Sequence, residues 1–379
     1  MHKRKTFLTR RLVGLFFFTK VAVGFAQWAA ISDVSINPLA TDLGGAHLLI
    51  SYELTEPGVS EHTPVYIFFR YSLDDGDSWR LLNSEHLQGE EVTFAASPGK
   101  KKVSWWGVEQ STTKNLSVVQ IQVKGIPMVK IPAGGFQRSS LPAGGRPQAG
   151  ELPVENKLDL FYLARAETTI GMYVDYLNEK GRNGTGWNDR MTEDDRYGIV
   201  RKGELGSYSY EALPGSDNLP VTYISWYDAL SFLSWCGLRL PTEAEWEKAY
   251  RGGYFLDGDE HRRQPNPLPD RKYPWGNESP GEGGIFRCNY DTEEDGYART
   301  APVCSFSAYN SPYGICDMAG NVSEWTLDWY TTSYHEGLDG FRMVRGGSWM
   351  AAPAGVDAIS GATDLPLKES SIKGFRAAK

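Results

Sequence analysis

Short apolar stretches, only partly alternating with polar residues, occupy the chain between residues 28 and 124. HLLISYEL (47–54), VYIFFRY (65–71) and LSVVQIQV (116–123) are rich in β-branched and aromatic residues, and Gly, Pro, Asp and Asn separate them. The pattern predicts an all-β, sandwich-like domain of short strands over residues 27–124. Since no sequence motif in this region pairs a nucleophile with a base, we interpret it as a spacer or a partner-binding module.

An acidic turn lies between two of these strands. It is formed by the sequence DDGD (74–77), in which Gly76 can adopt the positive φ that a tight turn requires. We interpret it as a β-hairpin. The alternative is a calcium loop built from the same carboxylates.

Helical periodicity appears only after residue 126. Residues 168–179 carry apolar side chains at i, i+3, i+4 and i+7, which predicts an amphipathic helix. Two more helices are predicted, each from a capping box at its start and a glycine at its end. The first has the capping box Ser225 with Asp228 and ends at Gly237. The second has the capping box Thr242 with Glu245 and ends at Gly252. Beyond residue 254 periodicity fades, apart from short strand-like pieces such as residues 342–345. The chain is therefore predicted to be α+β, with a Pro- and Gly-rich boundary near residue 125.

Composition and charge exclude several classes of function. With 39 basic against 47 acidic residues, the net charge of −8 gives no basic excess for phosphates, so no nucleic-acid partner is expected. An aromatic content of 13% together with 41 Gly and 21 Pro favours a loop-rich fold over helical bundles.

The N-terminal 26 residues have the pattern of a secretory signal peptide. Basic residues precede apolar runs at residues 12–18 and 21–25, and small residues close the segment at Ala26. We expect cleavage after Ala26 and export to the periplasm or the extracellular space, with no membrane span in the mature protein. The alternative is an uncleaved anchor, although Lys20 interrupts its apolar core and the span falls short of the ~20 residues a membrane helix needs.

Four cysteines, Cys236, Cys288, Cys304 and Cys316, lie in the second region. Export permits disulfides, but the sequence leaves open every pairing, and each thiol also fits a small buried apolar residue. They form no CxxC motif, and the histidines show no i, i+4 pair, so a zinc site is not expected.

Six ordered motifs in residues 126–379 resemble the formylglycine-generating enzyme (sulfatase-modifying factor) family. They are LPVTYISWYDA (219–229), RLPTEAEWE (239–247), YPWGN (273–277), DMAGNVSEW (317–325), RGGSW (345–349) and GFR (374–376). The resemblance implies a compact mixed α/β domain, related to C-type lectins and low in regular secondary structure. Residues 27–124 resemble fibronectin type III or immunoglobulin-like domains by pattern alone.

The same resemblance places the two copper-binding cysteines of the family at Ala351 and Val356. Because neither side chain is a thiolate, copper and the oxidation of a sulfatase cysteine to formylglycine are not expected here, and no catalytic residue is predicted. Ser348 corresponds to a residue that flanks the oxidase site, so it is a candidate pocket residue. A plain turn hydroxyl is the alternative for Ser348.

The family resemblance also implies two structural calcium sites. The first would use the side chains of Asn289 and Asp295 with the carbonyl oxygens of Tyr290 and Tyr297. The second would use the side chains of Asp317 and Glu324 with the carbonyl oxygens of Gly320 and Val322. Hard oxygen ligands of this kind suit calcium, and turn-capping carboxylates are the alternative interpretation.

These observations predict an exported, calcium-stabilised member of the family that acts as a binding or structural module on an unidentified protein or glycan. One alternative is an enzyme of a divergent branch, of the non-haem iron or cofactor-maturation type. His261 and His335 are the only histidines of the second region, too few for a three-histidine iron centre there. A formylglycine-forming oxidase with displaced ligands is the last alternative.

Overall fold

The computed structural model describes residues 28–39, 46–76, 78–89, 91–108, 119–138, 154–192, 198–330 and 340–379. The predicted signal peptide, His335 and residues 116–118 of a predicted strand lie outside these ranges. Within them, no helix has both the length and the apolar character needed to cross a membrane.

The described ranges contain mostly strands and few helices. The strands are β1 Ile31–Leu39, β2 Ala46–Leu54, β3 Val65–Ser72, β4 Arg80–Leu81, β5 Leu87–Gln88, β6 Phe94–Ala95, β7 Gly99–Val108, β8 Gln120–Ile131, β9 Gly134–Arg138, β10 Val154–Leu158, β11 Phe161–Ala164, β12 Ile199–Lys202, β13 Ser209–Ala212, β14 Ser323–Trp329, β15 Arg342–Arg345, β16 Gly361–Asp364 and β17 Lys373–Gly374. The α-helices are α1 Ile170–Lys180, α2 Trp226–Cys236 and α3 Glu243–Arg251. Short 3₁₀ helices span Ser84–His86, Asp189–Thr192, Glu282–Gly284, Ser307–Tyr309 and Pro353–Gly355.

Two antiparallel sheets enclose a core in the N-terminal region. One has the strand order β1-β2-β7-β5, and the other has the order β11-β8-β3-β4 with β6 paired to β3. Between them lies a cluster that we call the sandwich core, to which β2 contributes Leu48 and Ile50 and β3 contributes Val65, Ile67 and Phe69. The predicted runs 47–54 and 65–71 are therefore confirmed as strands.

Strand β3 is buried on both faces. Val65, Ile67 and Phe69 face the sandwich core, while Tyr66 and Phe68 belong to a second cluster, the junction core, that includes residues of α1 and α2. Burial on both faces explains why the sequence of β3 is a nearly continuous apolar run. A strand with one face in solvent would alternate apolar and polar residues.

Strand β8 extends across the predicted domain boundary. It pairs antiparallel with β3 on one side, through residues 120–127, and with β11 on the other, through residues 128–131. The boundary near residue 125 thus falls inside a strand that both regions share. The division of the chain into two domains stays a prediction.

The structure confirms the three helices at their predicted positions. Thr169 caps α1 by accepting a hydrogen bond from the Met172 amide, and both predicted capping boxes are present at the starts of α2 and α3. Gly237 ends α2 in the left-handed conformation, at φ 77°, where a side chain would strain the backbone.

The acidic turn is a hairpin, as predicted, because β3 pairs antiparallel with β4. The Asp74 carboxylate holds the turn by accepting hydrogen bonds from the Ser72 hydroxyl at 2.6 Å and from the Ser78 amide at 2.9 Å and hydroxyl at 2.5 Å. Both carboxylate oxygens are thus engaged within the turn.

The rest of the second region consists of small sheets joined by irregular backbone. Strands β9 with β10 and β12 with β13 form two hairpin-like pairs, and a four-stranded sheet has the order β16-β15-β14-β17. Strand β15 matches the predicted strand at residues 342–345. The predicted calcium ligands precede β14 in the chain, except Glu324, which lies within it.

Candidate functional site

The first candidate site is the loop of residues 289–297, which we call the first loop. The half-buried Asp295 carboxylate accepts hydrogen bonds from the amides of Tyr297 at 2.9 Å and Tyr290 at 3.3 Å, and burial raises its pKa. Asn289 is buried, and its side-chain Nδ2 donates to the Arg299 carbonyl at 2.8 Å and to Asn321 Oδ1 at 3.1 Å.

The Oδ1 atom of Asn289 is buried without any hydrogen-bond partner. Buried polar atoms are nearly always satisfied, so this oxygen is free to accept from a further partner such as a cation. The residues of the first loop therefore fit a calcium ion, for which the Asn289 and Asp295 oxygens are suitable hard ligands.

The second candidate site is the loop of residues 317–324, which we call the second loop. Asp317 Oδ2 accepts a hydrogen bond from the Cys304 amide at 2.5 Å. Burial raises the pKa of Asp317 to about 6, with a smaller contribution from the Glu324 carboxylate, against the opposing effects of the Cys304 amide and Arg376.

Glu324 is fully buried and already paired. Its carboxylate accepts hydrogen bonds from Arg376 Nη2 at 2.5 Å, from Arg376 Nε at 2.6 Å and from Trp246 Nε1 at 2.9 Å. A cation at the second loop would have to share Glu324 with a guanidinium, so the donor set fits calcium less well here than at the first loop.

Sequence reasoning missed Glu167. It is 1% exposed and accepts hydrogen bonds from Asn321 Nδ2 at 2.7 Å and from the Val322 amide at 3.2 Å. Burial, with the nearby Asp317 and Glu324 carboxylates, raises its pKa well above the usual range. In the sequence it is a single acid before a helix cap, and no local pattern links it to residues more than 150 positions away.

The described ranges contain no group of three or more His, Cys, Asp or Glu side chains arranged to hold a metal ion. Carbonyl and amide oxygens are not part of such groups, so the predicted calcium ligands, each set with two carbonyls, stay predictions.

The two positions implied for copper ligands carry hydrocarbon side chains. Val356 is fully buried, and its carbonyl oxygen accepts a hydrogen bond from the Tyr250 hydroxyl at 2.8 Å. Ala351 lies at the wall of a cavity. Methyl and isopropyl groups cannot ligate copper, so this pair does not fit the ion.

That cavity has a volume of about 450 Å³. Its walls include Ser348, Ala351, Asp357, Ser360 and Ala362, together with Met350, which is 56% exposed. Ser348 is buried, and its hydroxyl oxygen accepts a hydrogen bond from the Met350 amide at 3.3 Å. Among the hydrogen bonds of the described residues, none joins this hydroxyl to a His, Asp or Glu.

The four cysteines divide into one bridge and two buried thiols. Cys304 and Cys316 form a disulfide, which decides the pairing that the sequence left open. Cys236 and Cys288 are free and buried. Burial raises the pKa of Cys236 to about 12 and that of Cys288 further, so both thiols resist ionisation.

Several curated proteins are similar to parts of this chain. The formylglycine-generating enzyme of Thermomonospora curvata is 43% identical over 135 residues, covering 32% of this chain and 39% of that protein. The inactive C-alpha-formylglycine-generating enzyme 2 of Bos taurus is 35% identical over 156 residues, covering 39% and 46%. The serine/threonine-protein kinase pkn1 of Chlamydia caviae is 31% identical over 246 residues, covering 61% of this chain and 35% of that protein. The chain thus spans about half or less of the length of each of these relatives.

A solved structure, PvdO from Pseudomonas aeruginosa, aligns with a TM-score of 0.45 at 21% identity, over 67% of this chain and 94% of that chain. The family model of the sulfatase-modifying factor enzyme 1-like domain matches residues 115–379, more than half of the chain. The match begins upstream of the predicted start at residue 126, in keeping with a strand β8 that crosses that position. The chain therefore belongs to the family of the sulfatase-modifying factor enzyme 1-like domain.

Proposed function

We propose that this protein is an exported, calcium-stabilised member of the family that binds a protein or glycan partner and does not form formylglycine. The observation that carries the proposal is the pair of hydrocarbon side chains, Ala351 and Val356, at the positions of the family's copper-binding cysteines. Copper(I) requires soft ligands, and the thiol that would exchange with a substrate cysteine is absent from both positions.

The remaining cysteines offer no substitute. Cys304 and Cys316 form a disulfide bond, while Cys236 and Cys288 are buried thiols with raised pKa values. None of the four is among the residues that line the 450 Å³ cavity. Similarity to inactive C-alpha-formylglycine-generating enzyme 2 supports the proposal that this chain has the family fold and does not form formylglycine.

The proposal assigns calcium to the first loop because Asn289 Oδ1 is a buried acceptor without a partner. Bound calcium would supply the positive charge that this oxygen and the Asp295 carboxylate lack. The disulfide supports export, since such bonds persist in oxidising compartments.

A peptide-oxidation assay tests the proposal. The purified mature protein is incubated with a Cys-x-Pro-x-Arg peptide, with and without copper(I), and the product is analysed by mass spectrometry. We expect no formylglycine above the no-enzyme control. Formylglycine formation by the unmodified chain would overturn the proposal.

The double variant Ala351→Cys with Val356→Cys provides a matched comparison. If the missing thiolates are the reason for inactivity, this variant should bind copper(I) in a chelator competition where the parent chain does not. Equal copper binding by both proteins would show that other residues hold the metal.

A further inference from the structure

Asn321 of the second loop contacts the first loop directly. Its backbone amide donates to the Asn289 carbonyl at 2.8 Å, and its Oδ1 accepts from Asn289 Nδ2 at 3.1 Å. Two hydrogen bonds thus join this residue of the second loop to one ligand residue of the first.

Asn321 also contacts Glu167, whose carboxylate is shared with the next residue of the second loop. Its Nδ2 donates to Glu167 at 2.7 Å, and the same carboxylate accepts from the amide of Val322 at 3.2 Å. Asn321 is 2% exposed, and its Oδ1 also accepts from the Ala301 amide at 2.8 Å. The Asn321 side chain is therefore held by Asn289, Ala301 and Glu167, and it cannot turn without breaking these bonds.

The two loops also approach too closely for an ordinary side chain. A Cβ on Gly320 would lie 2.1 Å from the Asn289 carbonyl oxygen, and Gly320 adopts φ 78°. Close contact of this kind leaves the loops little freedom to move separately.

We propose that Asn321 is a positioning residue that couples the two loops. By holding Asn289 Nδ2, it aims the orphaned Oδ1 toward the cation, and calcium at the first loop in turn stabilises the second loop. The proposal rests on the calcium assignment of the proposed function. Coupling of this kind is reciprocal, so loss of the Asn321 side chain weakens calcium binding at a loop to which Asn321 gives no ligand.

Calcium titration by calorimetry tests the coupling in the full mature chain. Asn321→Gly removes the side chain without straining the backbone, whose φ is 59° at this position. We expect calcium affinity to fall about tenfold, which corresponds to about 1.4 kcal/mol. The control is Asn266→Ala, another buried asparagine, whose amide donates to the Arg251 and Gly253 carbonyls at 3.0 Å. It should lower the melting temperature and leave calcium affinity unchanged.

Hydrogen exchange gives a second readout that does not depend on the folding of Asn321→Gly. In the parent chain, calcium should slow amide exchange across residues 317–324. Asp295→Ala, which removes a first-loop ligand, should abolish this protection. Persistent protection in Asp295→Ala, or unchanged calcium affinity in Asn321→Gly, would overturn the coupling while leaving calcium binding intact. A parent chain that binds no calcium would overturn both.

Discussion

Arg70 of β3 forms a buried ion pair with Glu179 of α1, and this contact joins the N-terminal region to the family domain. Arg70 is 1% exposed, its Nη1 donates to the Trp235 carbonyl at 2.7 Å, and its guanidinium lies over the Trp235 ring. The Tyr66 hydroxyl, also from β3, donates to the Cys236 carbonyl at 3.0 Å. Polar contacts thus reinforce the apolar junction core between the two regions.

Arg70→Ala should lower the free energy of unfolding by about 1.5 to 3 kcal/mol, because it removes a buried charge-assisted hydrogen bond. Glu179 keeps two other contacts, Trp235 Nε1 at 2.9 Å and Lys180 Nζ at 3.2 Å. Urea unfolding of the mature chain measures the change. The control is Lys202→Ala, which removes an exposed ion pair with Glu211 and should cost less than about 1 kcal/mol. Equal effects of the two variants would contradict the assignment of Arg70 to a structural junction.

A chain that begins at residue 125 should be much less stable than one that begins at residue 28. The sequence alone predicts a domain boundary near residue 125, but truncation there cuts β8 and removes its partner β3. It also exposes Ile126 and Met128, which are buried in the junction core. Burial of such side chains contributes about 1.5 to 3 kcal/mol each. Thermal unfolding of the two chains measures the difference. Equal melting temperatures would show that the second region folds without β3 and the first part of β8.

Calcium chelation should lower the melting temperature of the mature protein. A ligand that binds only the native state stabilises it by about 2.7 kcal/mol when its free concentration is about a hundred times its Kd. Asp295→Ala should remove most of the response to a chelator, whereas Asp291→Ala, an exposed acid of the same loop, should retain it. Identical melting curves in calcium and in chelator would contradict the prediction. Glu324→Ala is a poorer test because it also leaves Arg376 buried without its carboxylate.

The acidic hairpin should contribute a pH-dependent part of the stability. Hydrogen bonds from Ser72 and Ser78 lower the pKa of Asp74 from 3.8 to about 2. Because the folded state keeps this carboxylate ionised to lower pH than the unfolded state, its contribution is complete above about pH 3.8 and is lost as the pH falls through about 2.

Urea unfolding between pH 2 and pH 6 checks this expectation against Asp74→Asn, whose stability should differ least from that of the parent chain at the acid end. Asp75→Asn, which removes a neighbouring charge from the same turn, controls for net charge. A difference between Asp74→Asn and the parent chain that stays constant with pH would contradict the prediction.

Local patterns in the sequence predicted local structure well. The capping box of Ser225 with Asp228 and the stop at Gly237 bound α2 as predicted, because caps and left-handed glycines act through residues a few positions apart. Ordered motifs likewise identified the family, which the match over residues 115–379 shows. The presence of Ala351 and Val356 in place of cysteines is also a property of the sequence alone.

Contacts between distant segments needed the tertiary structure. The sequence could not select the Cys304–Cys316 bridge, the pairing of Glu324 with Arg376, or the contact of Glu167 with Asn321, because each depends on chain segments that meet only after folding. For the same reason, the apolar run of β3 indicated a strand without revealing its two buried faces. A strand's own side chains set which residues share a face, whereas the elements that pack on each face determine whether the two predicted regions are joined.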